Sequence, residues 1–597
     1  MRKINFDIKR KINNKKKKNM FEVKKSSRPI NKKKKTNDKK LFEIMEKRFN
    51  IIIGVICVLF LIIISRVFYL QILKNDEYTE KLSYSTEKKI ESTSSPRGRI
   101  YDRNYNLLVD NEAVKTIYYK KKSGVKAKEE IELAYTIGDN ISIDYSGIND
   151  TKLKDFYYKG HYEECRKKIT DKEWDLYSKR KLTDKDILKL IYERIDDEIS
   201  EYDERDKKAA YIYYLMNKGY SYAEKVIKNK DVTEEEYAYI SENIDNLNGF
   251  NTKLDWERVY LYDNTFKTIL GSVSSNSQGI PEELAKTYLK KGYSLDDRVG
   301  ISYLEYQYED YLKGTKATYR LLSDNSYELV SEGKRGNDIV LTIDINLQKY
   351  LEEMLANEVY NAKGETGTNY YNRSFVVISD PNTGEILAMS GKQVLTNDNG
   401  EKYVVDYTPG IVTLPVTPGS VVKGASMMVG YKYGAIDIGT VINDECIKIK
   451  DTPEKCSWRT MGNINDIYAL QYSSNVYQYK IAINVGGGTY EYNKGLSLDT
   501  DAFKKYRNMY AEFGLGRKTG IDLPVESLGY MGTSKLPGHL LDFAIGQYDT
   551  YTPIQLSQYI NTIANGGNRL QMHLLNNVKS GTTGDTMYTF ETNTLNT

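Results

Sequence analysis

Hydrophobic positions are spread very unevenly along the 597 residues. Residues 1–48 carry KKKK at 15–18 and again at 32–35, with few apolar side chains between. Such a stretch has too little to bury to offset the entropy of ordering, and it reads as a basic, disordered tail. The run IIIGVICVLFLIII at 51–64 follows. Extended from Phe49 to Leu73, with Arg66 placed to snorkel, it is long enough for one tilted membrane-spanning helix. No small-x-small cleavage site follows it and the basic region is long, so the pattern favours an uncleaved anchor over a signal peptide. The Lys/Arg bias puts the tail in the cytoplasm and the rest outside, in a single-pass protein of the cell membrane.

Beyond the anchor the periodicity alternates between strand and helix. Residues 96–108, PRGRIYDRNYNLL, read as an extended segment, a turn and a short strand. Residues 120–250 are charged, rich in Tyr and helical in spacing, as in DKDILKLIYERIDDEISEY. The stretch INLQKYLEEMLANEV, beginning at Ile345, predicts an amphipathic helix. Two apolar strands, Ser374 to Ile378 and Glu385 to Met389, flank Asp380-Pro381-Asn382-Thr383-Gly384 and predict a hairpin. After Thr417-Pro418-Gly419-Ser420, the apolar VVKGASMMVGYKYG predicts a buried helix. The whole is α+β, with chain enough for several domains.

Charge narrows the functional classes. The net charge is +5, but residues 1–50 hold 20 Lys/Arg against 5 Asp/Glu, while the rest holds 67 against 77. The basic character therefore belongs to the tail, which suits anionic lipid headgroups or a topology signal and removes the case for a nucleic-acid partner. No Walker or Rossmann loop follows a strand. Four Cys are too few for a disulfide framework.

The candidate chemistry starts at Ser420 and Lys423. Residues three apart on a helix share a face, so the lysine can lie beneath the serine hydroxyl. A serine needs a neighbouring base, and desolvation lowers a lysine's pKa enough for it to serve. In a Lys-rich chain this spacing also arises by chance, and the second motif gives it weight. Ser473-Ser474-Asn475, an S-x-N, lies fifty residues on. S-x-x-K with S-x-N resembles the set shared by penicillin-binding proteins and class A β-lactamases. Arg97-Gly98-Arg99-Ile100-Tyr101-Asp102-Arg103 resembles the signature opening the non-catalytic pedestal of class B penicillin-binding proteins, with Tyr105 where that family has Gly. Gly300 to Gly314 is similar to the family's G-x-x-G-L-E-x-x-Y-E segment.

This resemblance implies a tail at 1–48, a transmembrane helix at 49–73, a dimerisation-type pedestal at 74–345 with a helical insertion near 120–250, and a transpeptidase domain at 346–597. It implies a penicillin-sensitive D,D-transpeptidase that crosslinks peptidoglycan stem peptides. Ser420 would attack the carbonyl of the penultimate D-Ala, Lys423 would be its base, Ser473 would relay a proton, and Asn475 would hold the substrate amide or Lys423. β-Lactams would acylate Ser420, and a glycosyltransferase of the cell-wall machinery would be a partner. No cofactor is required.

The third family motif, K-[ST]-G, has two candidates. Lys518-Thr519-Gly520 lies in GLGRKTGIDLP, which resembles a different family segment. Lys579-Ser580-Gly581 lies much nearer Gly566-Gly567 than the family spacing allows. The expectation is a chain truncated before its inner strand. Between the first two motifs, Cys446 and Cys456 leave three readings open: a disulfide, two thiols, or half of a zinc site completed by distant ligands. The rival functions are a non-catalytic scaffold of the wall machinery and a β-lactam sensor or β-lactamase.

Overall fold

A computed structural model of the chain describes residues 89–91, 95–219, 224–275, 278–321 and 327–597. All but Lys89 belong to one compact unit, Ile90–Thr597. Among the described residues no helix is long and apolar enough to cross a membrane, and the expected anchor at 49–73 lies outside them.

The pedestal is built on a twisted sheet. Strands β1 (Ile100–Tyr101), β2 (Leu107–Lys120), β3 (Glu224–Lys228) and β4 (Phe250–Tyr260) come first. β4 runs antiparallel to β2 over its whole length, from Val109 opposite Tyr260 to Tyr119 opposite Phe250. Ile117 and Tyr119 point inward and are fully buried against the helical insertion, where α1 (Ala127–Asn140), α2 (Asp150–Gly160) and α3 (Glu204–Asn217) close over them. Tyr119 donates to the buried carboxylate of Glu130 at 2.9 Å. The insertion is thus helical, as its spacing predicts, and has its own core.

β5 (Asp338–Leu341) lies beside β1 in a parallel pairing, the only one in this sheet among the described residues. Asp344 then starts α4 (Ile345–Ala362), its Oδ1 accepting from the N–H groups of Asn346 and Leu347. Ile345, Leu351, Leu355 and Val359, on one face of α4, are buried. Gln348 joins them because its amide both donates to the Met389 carbonyl and accepts from the Met389 N–H.

The predicted hairpin is present as β6 (Arg373–Ser379) and β7 (Ile386–Thr396), with β8 (Lys402–Asp406) on the other side of β7. Its turn is closed by Gly384, at φ 83°, donating to the Asp380 carbonyl. The mainly helical lobe beyond contains α5 (Lys423–Lys432), the short pair β9 (Ile442–Asp444) and β10 (Gly462–Ile464), and α6 (Asp466–Gln471). It continues with α7 (Asn475–Val485), α8 (Asp501–Glu512), α9 (Pro537–Ala544) and α10 (Pro553–Ala564). One buried cluster joins Val422 and Met427 to Ile481, Phe503, Tyr510 and Phe543. The chain then returns to the pedestal sheet as β11 (Leu575–Lys579), between β5 and β12 (Thr586–Thr589).

The fold is α+β, as expected, and its sheets are mainly antiparallel. The parallel β1–β5 pair and the return of β11 to the pedestal were outside the sequence expectation.

Candidate active site

The segment entering α5 is fixed by backbone contacts before any side chain acts. Gly419, at φ 60°, donates its N–H to the Gly546 carbonyl at 2.9 Å. A Cβ on Gly546 would lie 2.1 Å from the Gly419 carbonyl oxygen, so the close approach demands glycine there. Residues Gly419–Val422 form a single 3-10 turn that runs straight into α5. Ser420 is therefore exposed on a tight turn rather than on the α-helix itself, and Lys423 is the first residue of α5. The Ala425 N–H, an orphan donor of the first turn, is taken by the buried Tyr559 hydroxyl of α10 at 3.2 Å.

Lys423 is only 2% exposed. Its ammonium donates to the Ser473 carbonyl at 2.8 Å, the Ser473 hydroxyl at 3.0 Å and the Asn475 Oδ1 at 2.6 Å. Its partners are these groups rather than Ser420 Oγ. Burial pushes its pKa down to about 8, against the pull of the Asp444 carboxylate in the other direction. An amine poised there exists in both forms near neutral pH, which is what a general base needs.

Ser473 lies between α6 and α7 in the left-handed region, at φ 53°, and this conformation turns its carbonyl and hydroxyl to the same lysine. Ser474 caps α7 by accepting from the Tyr477 N–H at 2.9 Å. Asn475 opens the helix, and its Nδ2 donates to the Cys456 carbonyl at 3.2 Å, leaving Oδ1 for Lys423. The structure thus brings Lys423, Ser473 and Asn475 into one hydrogen-bonded group, with Ser420 three residues before the lysine. An apolar groove of about 520 Å³ opens beside Val421, between Phe375 and Val377 of β6 and Leu556 and Ile560 of α10. Among the described residues β6 is the edge of its sheet, and the groove runs along it.

Neither K-[ST]-G candidate touches this group among the described residues. Lys518 donates to the Glu526 carbonyl, and Thr519 is buried with its N–H and hydroxyl on the Glu526 carboxylate. Lys579 ends β11 opposite Asp338, with its ammonium 4.3 Å from the Tyr105 ring centroid, in the pedestal sheet. The zinc reading of Cys446 and Cys456 requires correction. Their sulfurs are bonded to each other at 2.08 Å, so neither offers the thiolate that zinc takes, although the Glu454 carboxylate lies near both. A cavity of about 1000 Å³ lies in the pedestal beside Tyr211, Lys228 and Arg258, and is not lined by Ser420 or Lys423.

Four contributors had no signal in the sequence: Gly546, Tyr559, Asp444 and Ser457. Each reaches the site by a tertiary contact from a segment without a motif.

Residues 92–341 match the penicillin-binding protein dimerisation domain, and residues 374–595 match the penicillin-binding protein transpeptidase domain. Penicillin-binding protein 2A of Bacillus subtilis is 42% identical over 556 residues, spanning 92% of this chain and 77% of that relative. Penicillin-binding protein H of the same organism is 35% identical, over 89% of this chain and 79% of the relative. The solved penicillin-binding protein 2B from Streptococcus pneumoniae strain 5204 superposes with a TM-score of 0.66 at 30% identity, covering 86% of this chain and 84% of that one. With both domains matched in order, the pedestal signature at Arg97 in place, and relatives of this identity along most of its length, the chain belongs to the class B penicillin-binding proteins.

Proposed function

We propose that the protein is a serine-type peptidoglycan D,D-transpeptidase in which Ser420 is the nucleophile and Lys423 its base. Two relatives, from Acinetobacter baumannii and Escherichia coli, are named peptidoglycan D,D-transpeptidases, which supports the reaction class. The observation that carries the residue assignment is the buried Lys423 amine, three residues from an exposed serine and in contact with Ser473 and Asn475.

In the first half-reaction neutral Lys423 takes the Ser420 proton as Oγ attacks the carbonyl of the penultimate D-Ala of a stem peptide. The resulting ammonium returns a proton through the Ser473 hydroxyl to the departing nitrogen, and the last D-Ala leaves. Asn475 holds the lysine through its Oδ1. In the second half-reaction an amine from a neighbouring stem peptide attacks the acyl-serine, losing its proton by the same route, and the crosslink releases Ser420. A β-lactam enters the first half-reaction as a strained amide and stays attached.

Residues 49–73 anchor the protein in the membrane, with the basic tail inside, the catalytic domain outside, and a glycosyltransferase of the wall machinery as partner. This topology is supported by the apolar run and the lysine asymmetry. External protease on intact cells should leave only the tail protected, and a mature N-terminus beyond residue 74 would refute it.

The test of the chemistry is covalent labelling. Fluorescent penicillin should mark the chain, and Ser420→Ala should abolish the mark while leaving the far-UV circular dichroism unchanged. One observation favours a second reading, a non-catalytic scaffold: neither Lys518 nor Lys579 reaches the site. A chain that folds but takes no label at any penicillin concentration is the outcome for that reading.

A further inference from the structure

The loop between β9 and β10 folds back over the start of α7, and three of its residues touch the Tyr472–Val476 segment. Trp458 donates its indole N–H to the Tyr472 carbonyl at 2.9 Å. Ser457 Oγ accepts from the N–H groups of both Asn475 and Val476, at 3.0 and 3.1 Å. Cys456 offers its carbonyl to the Asn475 side-chain amide. The first two orphan donors of α7 are thus satisfied by this loop and not by the helix's own cap, which serves Tyr477.

Behind these contacts stands a buried carboxylate. Asp444, 1% exposed at the end of β9, accepts from the Ser457 hydroxyl at 2.8 Å and from the Ser474 hydroxyl. Each hydroxyl spends its one proton on Asp444, so its oxygen is left to face backbone donors. The direction of every bond from Asp444 to the three amides of α7 is therefore set. The Asn475 side chain is set in the same way: with Nδ2 on the Cys456 carbonyl, only Oδ1 can face Lys423.

The loop that delivers Cys456 and Ser457 is closed by the Cys446–Cys456 disulfide. Inside it, Ile447 and Lys455 exchange a pair of backbone hydrogen bonds at 2.9 and 2.8 Å. Outside it, Lys455 reaches the Asp542 carboxylate on α9. Both cysteines are half-buried.

We propose that the disulfide-closed loop 444–457 is a positioning element for the reaction, clamping Asn475 and the first turn of α7 through Asp444, Ser457 and the Cys456 carbonyl, and that reduction of the Cys446–Cys456 bond loosens this clamp and slows acylation. The inference rests on the assignment of Ser420, Lys423, Ser473 and Asn475 above. Reduction needs a dithiol. It supplies two electrons and two protons, becoming a cyclic disulfide as Cys446 and Cys456 become thiols. Ser457 and Asp444 act only through Asn475 and the helix start, so they are positioning residues.

The experiment follows acylation of the full chain by fluorescent penicillin across a concentration series, separating the acylation rate constant from the binding constant. In parallel, hydrogen exchange is read by mass spectrometry on the peptide containing residues 473–478. Ser457→Ala should lower the acylation rate constant roughly tenfold, the scale of a lost contact within one hydrogen-bonded network, with binding changed less than about twofold. Ser457→Thr keeps the hydroxyl and should restore the rate. Dithiothreitol should slow the wild type to a similar degree and raise exchange at 473–478, while the Cys446→Ala, Cys456→Ala double variant should already be slow and ignore the reagent. An unchanged rate constant in Ser457→Ala, or a Thr variant that does not rescue, overturns the proposal. If the wild type takes no label, the acyl-serine reading itself has failed, and the exchange data decide the clamp alone: unchanged exchange on reduction overturns it, and raised exchange supports it.

Discussion

Lys423 is a lysine at a position where most lysines would be too costly, and its chemistry follows from that burial. Its amine is desolvated, it has only neutral oxygen partners, and the carboxylate of Asp444 is close enough to moderate the shift but not to cancel it. If it is the base, β-lactam acylation should rise from pH 6.5 and level off above an apparent pKa of about 8, since only the neutral amine accepts the proton. A profile flat from pH 6.5 to 9.5 would remove Lys423 from that role. Lys423→Ala should cost roughly 10³-fold or more, as loss of one member of a catalytic set does. Tyr105 makes a different point at the same scale. The family has glycine there, and Tyr105 takes up the left-handed conformation at φ 63°, half exposed. Tyr105→Gly should therefore raise stability by about 1 kcal/mol in urea unfolding, because the strain of a side chain in that region outweighs the entropy lost with glycine.

At the scale of elements, the two pedestal motifs that looked separate in the chain prove to be halves of one device. Arg97 is buried and bridges Glu305 and Glu309, while Arg258 from β4 holds the other oxygen of Glu305 at 2.7 Å. Burial alone would raise the Glu305 pKa, but Arg258 and Arg97 together hold it below the usual range. Removing one partner strands a charge in the interior, so Arg97→Ala should cost about 3–5 kcal/mol, and a loss under 1 kcal/mol would show that the network is dispensable. The hairpin β6–β7, helix α4 and the helical insertion were legible because period, cap and turn residues are local signals. The network and the Gly419–Gly546 contact were not, because their partners are far apart in the chain and follow no period.

For the whole unit, the sheet matters more than the domain boundary. A division at residue 345 leaves β11 on one side and its neighbour β5 on the other. Asp522 reinforces the junction, accepting from the N–H groups of Leu574 and Leu575 and from the pedestal's Tyr308 hydroxyl. One apolar cluster runs from Ile100, Val109 and Ile339 to Ile386, Ile554 and Val578. Residues 346–597 expressed alone should accordingly lack cooperative unfolding, and a sharp thermal transition in that fragment would contradict the shared core. Three residues that the sequence motifs single out, Lys423, Ser473 and Asn475, do meet. The motifs could not show the support behind them, because Asp444, Ser457 and Tyr559 contribute ordinary polar groups at positions set only by the fold.

The buried amine at the head of α5 also makes folding a proton-transfer event. A lysine in the unfolded chain titrates near 10.5, and burial brings this one down to about 8 in the fold. Between those limits the unfolded chain holds a proton that the native protein has given up. Refolding at pH 9 in weak buffer should thus acidify the solution by up to one equivalent per chain from this residue. The same imbalance makes the fold gain stability as pH climbs from 8 towards 10.5, by at most about 3 kcal/mol, and lose it on the way back down. Lys423→Met should flatten that part of the stability profile, and a slope identical in both proteins would mean that the amine keeps its ordinary affinity for protons inside the fold.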